Sequence, residues 1–155
     1  MTEDELKQKF ANFKSADEKW TFLINLAKNH KCSENIRDDK YLIKGCSTKL
    51  WLKPVFVNNN LHFEVDAEIG LLSLGLGILA TMLYNGRTCQ EMAQVDQNVF
   101  IEIGLLNGLS ATRNNGFASI LKQIDLYIKF YNKIHYNHWQ NCDKLVYLLC
   151  NKNKR

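Results

Sequence analysis

Apolar positions along the chain follow two periods. Between Glu3 and Phe13, the residues Leu6, Phe10 and Phe13 recur at helical spacing. Between Asp17 and Asn29, Trp20, Leu23, Ile24 and Ala27 mark one face of a second helix, with Ser15 ahead of it as N-cap. The segment from His30 to Lys40 is polar and aperiodic and reads as a loop. The period changes after Tyr41. From Cys46 onward Leu50, Leu52 and Phe56 hold the even positions while Lys49 and Lys53 hold odd ones, which is a strand alternation. Asn58, Asn59 and Asn60 signal a turn, and Leu61, Phe63 and Val65 then alternate with His62, Glu64 and Asp66. Two such runs about a short polar turn predict an antiparallel hairpin.

The run from Ile69 to Tyr84 is almost wholly apolar, uncharged and 16 residues long. It falls short of the ~20 residues a bilayer span needs. Gly70, Gly75 and Gly77 weaken it as an isolated helix, so it predicts a central helix buried against the sheet, with small residues admitting another backbone. Asn85 and Gly86 end it, and Thr88 with Glu91 forms a capping box for a short helix. Ser110 opens a long helix reaching about Ile134, with Leu121, Ile124, Ile128 and Tyr131 as its stripe. The expected fold class is α+β, a small antiparallel β-sheet packed against several α-helices. The expected division is a domain over residues 1–134 and a basic C-terminal extension over 135–155.

Composition narrows the class. With 155 residues, 46% of them hydrophobic, the chain can bury one ordinary core. Met1 to Glu5 is polar and acidic and carries no secretory or transit signal, so the expectation is a cytoplasmic protein with no membrane association. The net charge of +4 is uneven: residues 129–155 hold six basic residues against Asp143 alone, while residues 1–128 are close to neutral. A basic tail is not the basic stripe that nucleic-acid binding needs, so no nucleic-acid partner is expected.

Cys32, Cys46, Cys89, Cys142 and Cys150 are odd in number and form no CxxC, which argues against a disulfide framework. The ordinary role of such a cysteine is a small buried apolar side chain. Cys46 stands apart. It lies where a polar loop becomes a strand, in Lys44-Gly45-Cys46-Ser47-Thr48-Lys49. Gly45 permits a tight turn, and the flanking Lys44 and Lys49 would favour a thiolate. If the strand pleat continues back, the thiol shares the face of Leu50 and Leu52 and sits partly sheltered at the core's edge. Arg113 is the second candidate. With Ser110 as N-cap it occupies the first turn of the last helix, where a cation opposes the helix dipole. It either pairs with a carboxylate such as Asp96 or Glu102, or converges with the helix N-terminus on an anionic sulfur.

At these motifs the chain resembles the SufE/CsdE sulfur acceptors. Their pattern of Gly-Cys, two small or polar residues and an apolar-Trp-apolar strand is met by Gly45-Cys46-Ser47-Thr48-Lys49-Leu50-Trp51-Leu52. Leu83-Tyr84-Asn85-Gly86 and Thr88-x-x-Glu91 match the end of their apolar helix and the helix start after it. Leu109-Ser110-Ala111-Thr112-Arg113, followed by Gly116, matches their later signature apart from a proline replaced by Ala111. Tyr41 stands where the family usually has Asn, and its helix-opening carboxylates align only loosely with Asp66 and Glu68. The agreement spans roughly residues 6–130; beyond about His135 the resemblance is silent.

The resemblance implies a SufE/IscU-like fold and a persulfide carrier. Cys46 would take sulfur from a SufS/CsdA-type cysteine desulfurase, stimulate that enzyme by draining it, and pass the sulfur to an iron–sulfur scaffold complex or another acceptor. Arg113 would stabilise the anionic sulfur or contact the partner, and Lys44, Gly45, Ser47 and Thr48 would form the active loop. Pyridoxal phosphate would belong to the desulfurase, so no cofactor and no metal are expected on this chain, which is an activator more than a stand-alone enzyme. The alternative is an iron–sulfur scaffold of the IscU type, which needs several converging soft ligands. Two further readings are weaker. His135, His138 and Cys142 share a helical face and could ligate zinc but lack a fourth ligand. A Cys–His protease would need His62, which the alternation places on the sheet face opposite Cys46.

Overall fold

The computed structural model describes residues 1–135 apart from Glu34 and Asn59, and the side chains of Ile134 and His135. Of the extension expected over 135–155, residues 136–155, with the His138 and Cys142 of the zinc reading, lie outside the described residues. Two helices open the chain, α1 (Glu3–Ala11) and α2 (Ala16–Lys28). Each begins at a side-chain cap: Thr2 and Glu5 close a capping box on α1, and the Ser15 hydroxyl accepts from the Glu18 N–H on α2.

Strands β1 (Leu50–Val57) and β2 (Asn60–Ala67) pair antiparallel, from Leu50 opposite Ala67 to Val57 opposite Asn60. Asn58 takes the positive φ of 50° at the turn. Leu50, Leu52, Leu61, Phe63 and Val65 are fully or nearly fully buried, as the alternation predicts. The fold class is α+β: this hairpin with helices packed on it.

The apolar run forms α3 (Leu71–Tyr84), which packs against α2, β2 and the last helix. Its glycines work by absence of a side chain. A Cβ on Gly75 would overlap the Leu23 carbonyl of α2, and one on Gly77 would stand 2.8 Å from Val65 Cγ2 of β2. The Asn85 side chain then binds both Phe63 backbone groups, at 2.8 and 2.9 Å, and ties the end of α3 to the strand. Short helices α4 (Cys89–Met92) and α5 (Val99–Glu102) follow, and the Thr88–Glu91 capping box opens α4 as expected. The last element, α6 (Ala111–His135), lays Ile124, Tyr127, Ile128 and Tyr131 on the core, with Tyr131 edge-on to Phe56 at 4.8 Å.

Three details differ from the sequence expectation. β1 begins at Leu50, so Cys46 to Lys49 precede the strand rather than extend it. The helix α5 and a 3₁₀ turn over Asp39–Tyr41 carry too few residues to show a period. The third difference concerns the outer face of the hairpin. The polar segment after α2 does not hang free: His30 Nε2 lies 2.7 Å from the Val65 carbonyl, Ser33 donates to Glu64, and Arg37 Nε pairs with Asp66 at 2.6 Å. Arg37 also stacks over Trp51, which is only 6% exposed although it alternates with the core positions.

Candidate functional site

The site lies at the open end of the hairpin, where β1 begins and β2 ends. Gly45 turns the chain with φ +84°, a value other residues rarely adopt. The next residue, Cys46, is half-buried and free of any disulfide. Its Sγ rests on α6 at Gly116, where an added Cβ would stand only 2.8 Å from the sulfur. One turn further along α6, Ser119 Oγ lies 3.4 Å from where a Gly45 Cβ would be. The Gly-Cys pair therefore lies flat along one face of α6.

A cleft of about 330 Å³ opens beside the thiol. Cys46, Ser47 and Thr48 form one wall, and Ser110, Thr112 and Arg113 at the start of α6 form another. Leu50, Leu76, Phe117 and Ile120 give it an apolar floor, and Ile69 stands exposed at its rim. Ser110 is the N-cap of α6: its hydroxyl accepts from the Arg113 N–H and its carbonyl from the Asn114 N–H. The guanidinium of Arg113 makes no ion pair among the described residues. The carboxylates that could have taken it are engaged: Glu102 binds Lys7, and Asp96 accepts from the Asn98 N–H.

The structure thus brings together Cys46, Ser47, Thr48 and Arg113, with Gly45 setting the turn. It does not bring in the flanking lysines. Lys49 Nζ lies 3.4 Å from Glu68, and neither it nor the exposed Lys44 lines the cleft. The cation in the cleft wall is Arg113. Gly116, in the sequence only a match of spacing, is where the thiol packs close on α6. Its signal was a glycine early in a helix, where propensity disfavours it. His62 sits at mid-strand opposite Val55 and does not line the cleft, so it is not placed to pair with Cys46 there.

The other described cysteines have different surroundings. Cys32 is exposed, and partial burial together with Asp66 and Glu64 pushes its thiol pKa up. Cys89 is buried, and desolvation pushes its pKa up. Among the described residues no three His, Cys, Asp or Glu side chains converge as metal ligands, so the ligand set of a scaffold is not assembled there. No helix among them is long and apolar enough to cross a membrane.

A family model described as the SufE Fe-S metabolism associated domain matches residues 4–128. The chain belongs to the SufE family. The matched SufE region takes in the Cys46 loop, the hairpin and the part of α6 that carries Arg113 and Gly116. The sulfur acceptor protein CsdE of Escherichia coli is 30% identical over 127 residues, covering 80% of this chain and 86% of that one. An uncharacterized SufE-like protein of Rhizobium meliloti is 26% identical over 133 residues, 78% of this chain and 90% of its own length. The chloroplastic/mitochondrial SufE-like protein 1 of Arabidopsis thaliana is 30% identical over 81 residues, 52% of this chain and 22% of that longer protein.

Proposed function

We propose that this protein is a sulfur acceptor for a SufS/CsdA-type, pyridoxal-phosphate-dependent cysteine desulfurase, with Cys46 as the sulfur carrier. The observation that carries the reading is the setting of Cys46: a half-sheltered thiol on a glycine-turned loop, facing a cleft whose wall holds Arg113. Membership of the SufE family and likeness to a protein named as a sulfur acceptor support it.

The chemistry is an exchange between sulfurs. The Cys46 thiolate attacks the outer sulfur of the desulfurase persulfide. A new S–S bond forms at Cys46, the old S–S bond breaks, and the desulfurase cysteine leaves as a thiolate with the electron pair of that bond. The transferred sulfur keeps its oxidation state, so no external oxidant or reductant enters. Removing the persulfide frees the desulfurase for its next turnover. The hydroxyls of Ser47, Thr48, Ser110 and Thr112 and the Arg113 guanidinium can solvate the anionic outer sulfur while the apolar floor limits its oxidation. A second exchange delivers the sulfur to an iron–sulfur assembly scaffold. In this reading the chain carries no cofactor of its own and works in a reducing compartment such as the cytoplasm, where Cys46 stays free.

The test is intact-mass spectrometry after incubation with a cysteine desulfurase, cysteine and pyridoxal phosphate. The expected result is a gain of about 32 Da, one sulfur, mapped to Cys46 and absent from a folded Cys46→Ser variant. Sulfur spread over all five cysteines, or full acceptance by Cys46→Ser, overturns the assignment.

A further inference from the structure

Gly116 lies in the second turn of a 25-residue helix. Glycine destabilises a helix interior relative to alanine, and nothing in the backbone asks for it: Gly116 is absent from the positive-φ glycines, which are Gly45, Gly70, Gly86, Gly104 and Gly108. What excludes a side chain is the thiol. An alanine Cβ would stand 2.8 Å from Cys46 Sγ, closer than real Cβ contacts, whereas the next atom, Cys46 Cβ, lies at an ordinary 4.0 Å. The loop is bare on its own side of the contact as well, with Gly45 facing Ser119. The sulfur occupies the space of the missing methyl group.

We infer that Gly116 is a positioning residue: a side-chain-free seat that parks the Cys46 sulfur in its sheltered position between acceptance and delivery. The functional half of this inference rests on the sulfur-acceptor reading, and the structural half does not. An alanine at 116 drives the sulfur off α6, by rotation of the cysteine or displacement of residues 44–48, and leaves it open to solvent.

A double-mutant cycle tests it. In the Cys46→Ala background, Gly116→Ala meets nothing closer than the 4.0 Å contact and gains helix propensity, so Tm rises by about 3 °C. In the native background the gain disappears or reverses, and iodoacetamide modifies Cys46 several-fold faster while the rate at the exposed Cys32 is unchanged. A Cys46 persulfide on Gly116→Ala is stripped by added thiol faster than on the native protein. Equal Tm shifts in both backgrounds with an unchanged Cys46 alkylation rate overturn the seat. Should Gly116→Ala alone fail to fold, the doubly substituted protein decides: its folding with a raised Tm supports the seat, and its failure overturns it. Should the native protein accept no sulfur, the acceptor reading falls, while the stability cycle and alkylation rates still judge the seat.

Discussion

A cation in the first turn of a helix faces the positive end of the dipole, so Arg113 sits where stability alone would place an acid. It is exposed, its backbone N–H is capped by Ser110, and its guanidinium makes no ion pair among the described residues. Its position in the cleft wall makes sense if its partner arrives with the sulfur. Arg113→Ala is expected to slow single-turnover transfer by roughly tenfold, the scale of one hydrogen bond to a charged group. The same substitution leaves Tm unchanged or slightly higher, because it removes an unfavourable dipole contact. A merely structural arginine would lower Tm and leave transfer alone. Arg113→Lys should restore part of the rate, since it keeps the charge and loses the planar fork.

At the scale of elements, close backbone approach and a few ties hold the helices. Gly75→Ala sets a methyl group against the Leu23 carbonyl, which is backbone and cannot rotate away. The expected cost is about 2 kcal/mol, read as a lower denaturant midpoint with the m-value unchanged. The tie between α1 and the turn that joins α3 to α4 is ionic: Glu3 meets Arg87 at 2.7 Å, and the hydrogen bond from Arg87 holds the Glu3 pKa below its usual value. A lowered carboxyl pKa adds stability that is present above the unfolded pKa and lost as pH falls through the folded one. Glu3→Gln should therefore lower Tm at neutral pH, with the difference from the native protein shrinking as pH falls below the ordinary carboxylate range and the Glu3 carboxylate takes up its proton; thermal melts at a series of acid pH values check it. The first two helices, the hairpin and the last helix were legible in the sequence because each repeats a period over many residues, α3 because it is one long apolar run, and α4 because a capping box opens it. The short α5 and the covering of Trp51 were not. The first has too few residues for a period, and the second depends on Arg37 and Asp66 meeting across 29 positions.

Over the whole molecule, the candidate site joins three stretches far apart in sequence: the Cys46 loop, the start of α3 and the start of α6. Cys46 and Arg113 could be nominated from local oddities, a Gly-Cys at a strand entry and a cation at the wrong end of a helix. Their meeting in one cleft, and the role of Gly116, depend on how α6 crosses the hairpin, which no local pattern records. The same architecture sets the length of the tether on the sulfur. Ile43 is bonded to Leu50 at 2.8 Å, and Glu68 to Lys49 at 3.0 Å, so the loop over residues 44–48 has both of its ends pinned side by side. Three residues of extended chain reach about 10 Å. Cys46 is therefore on a short leash: it can leave its resting place but cannot cross a wide gap like a swinging arm. If Cys46 carries sulfur as proposed, any donor or acceptor has to bring its own sulfur to within that radius, so delivery is decided by how closely two surfaces fit and not by how far this loop can travel.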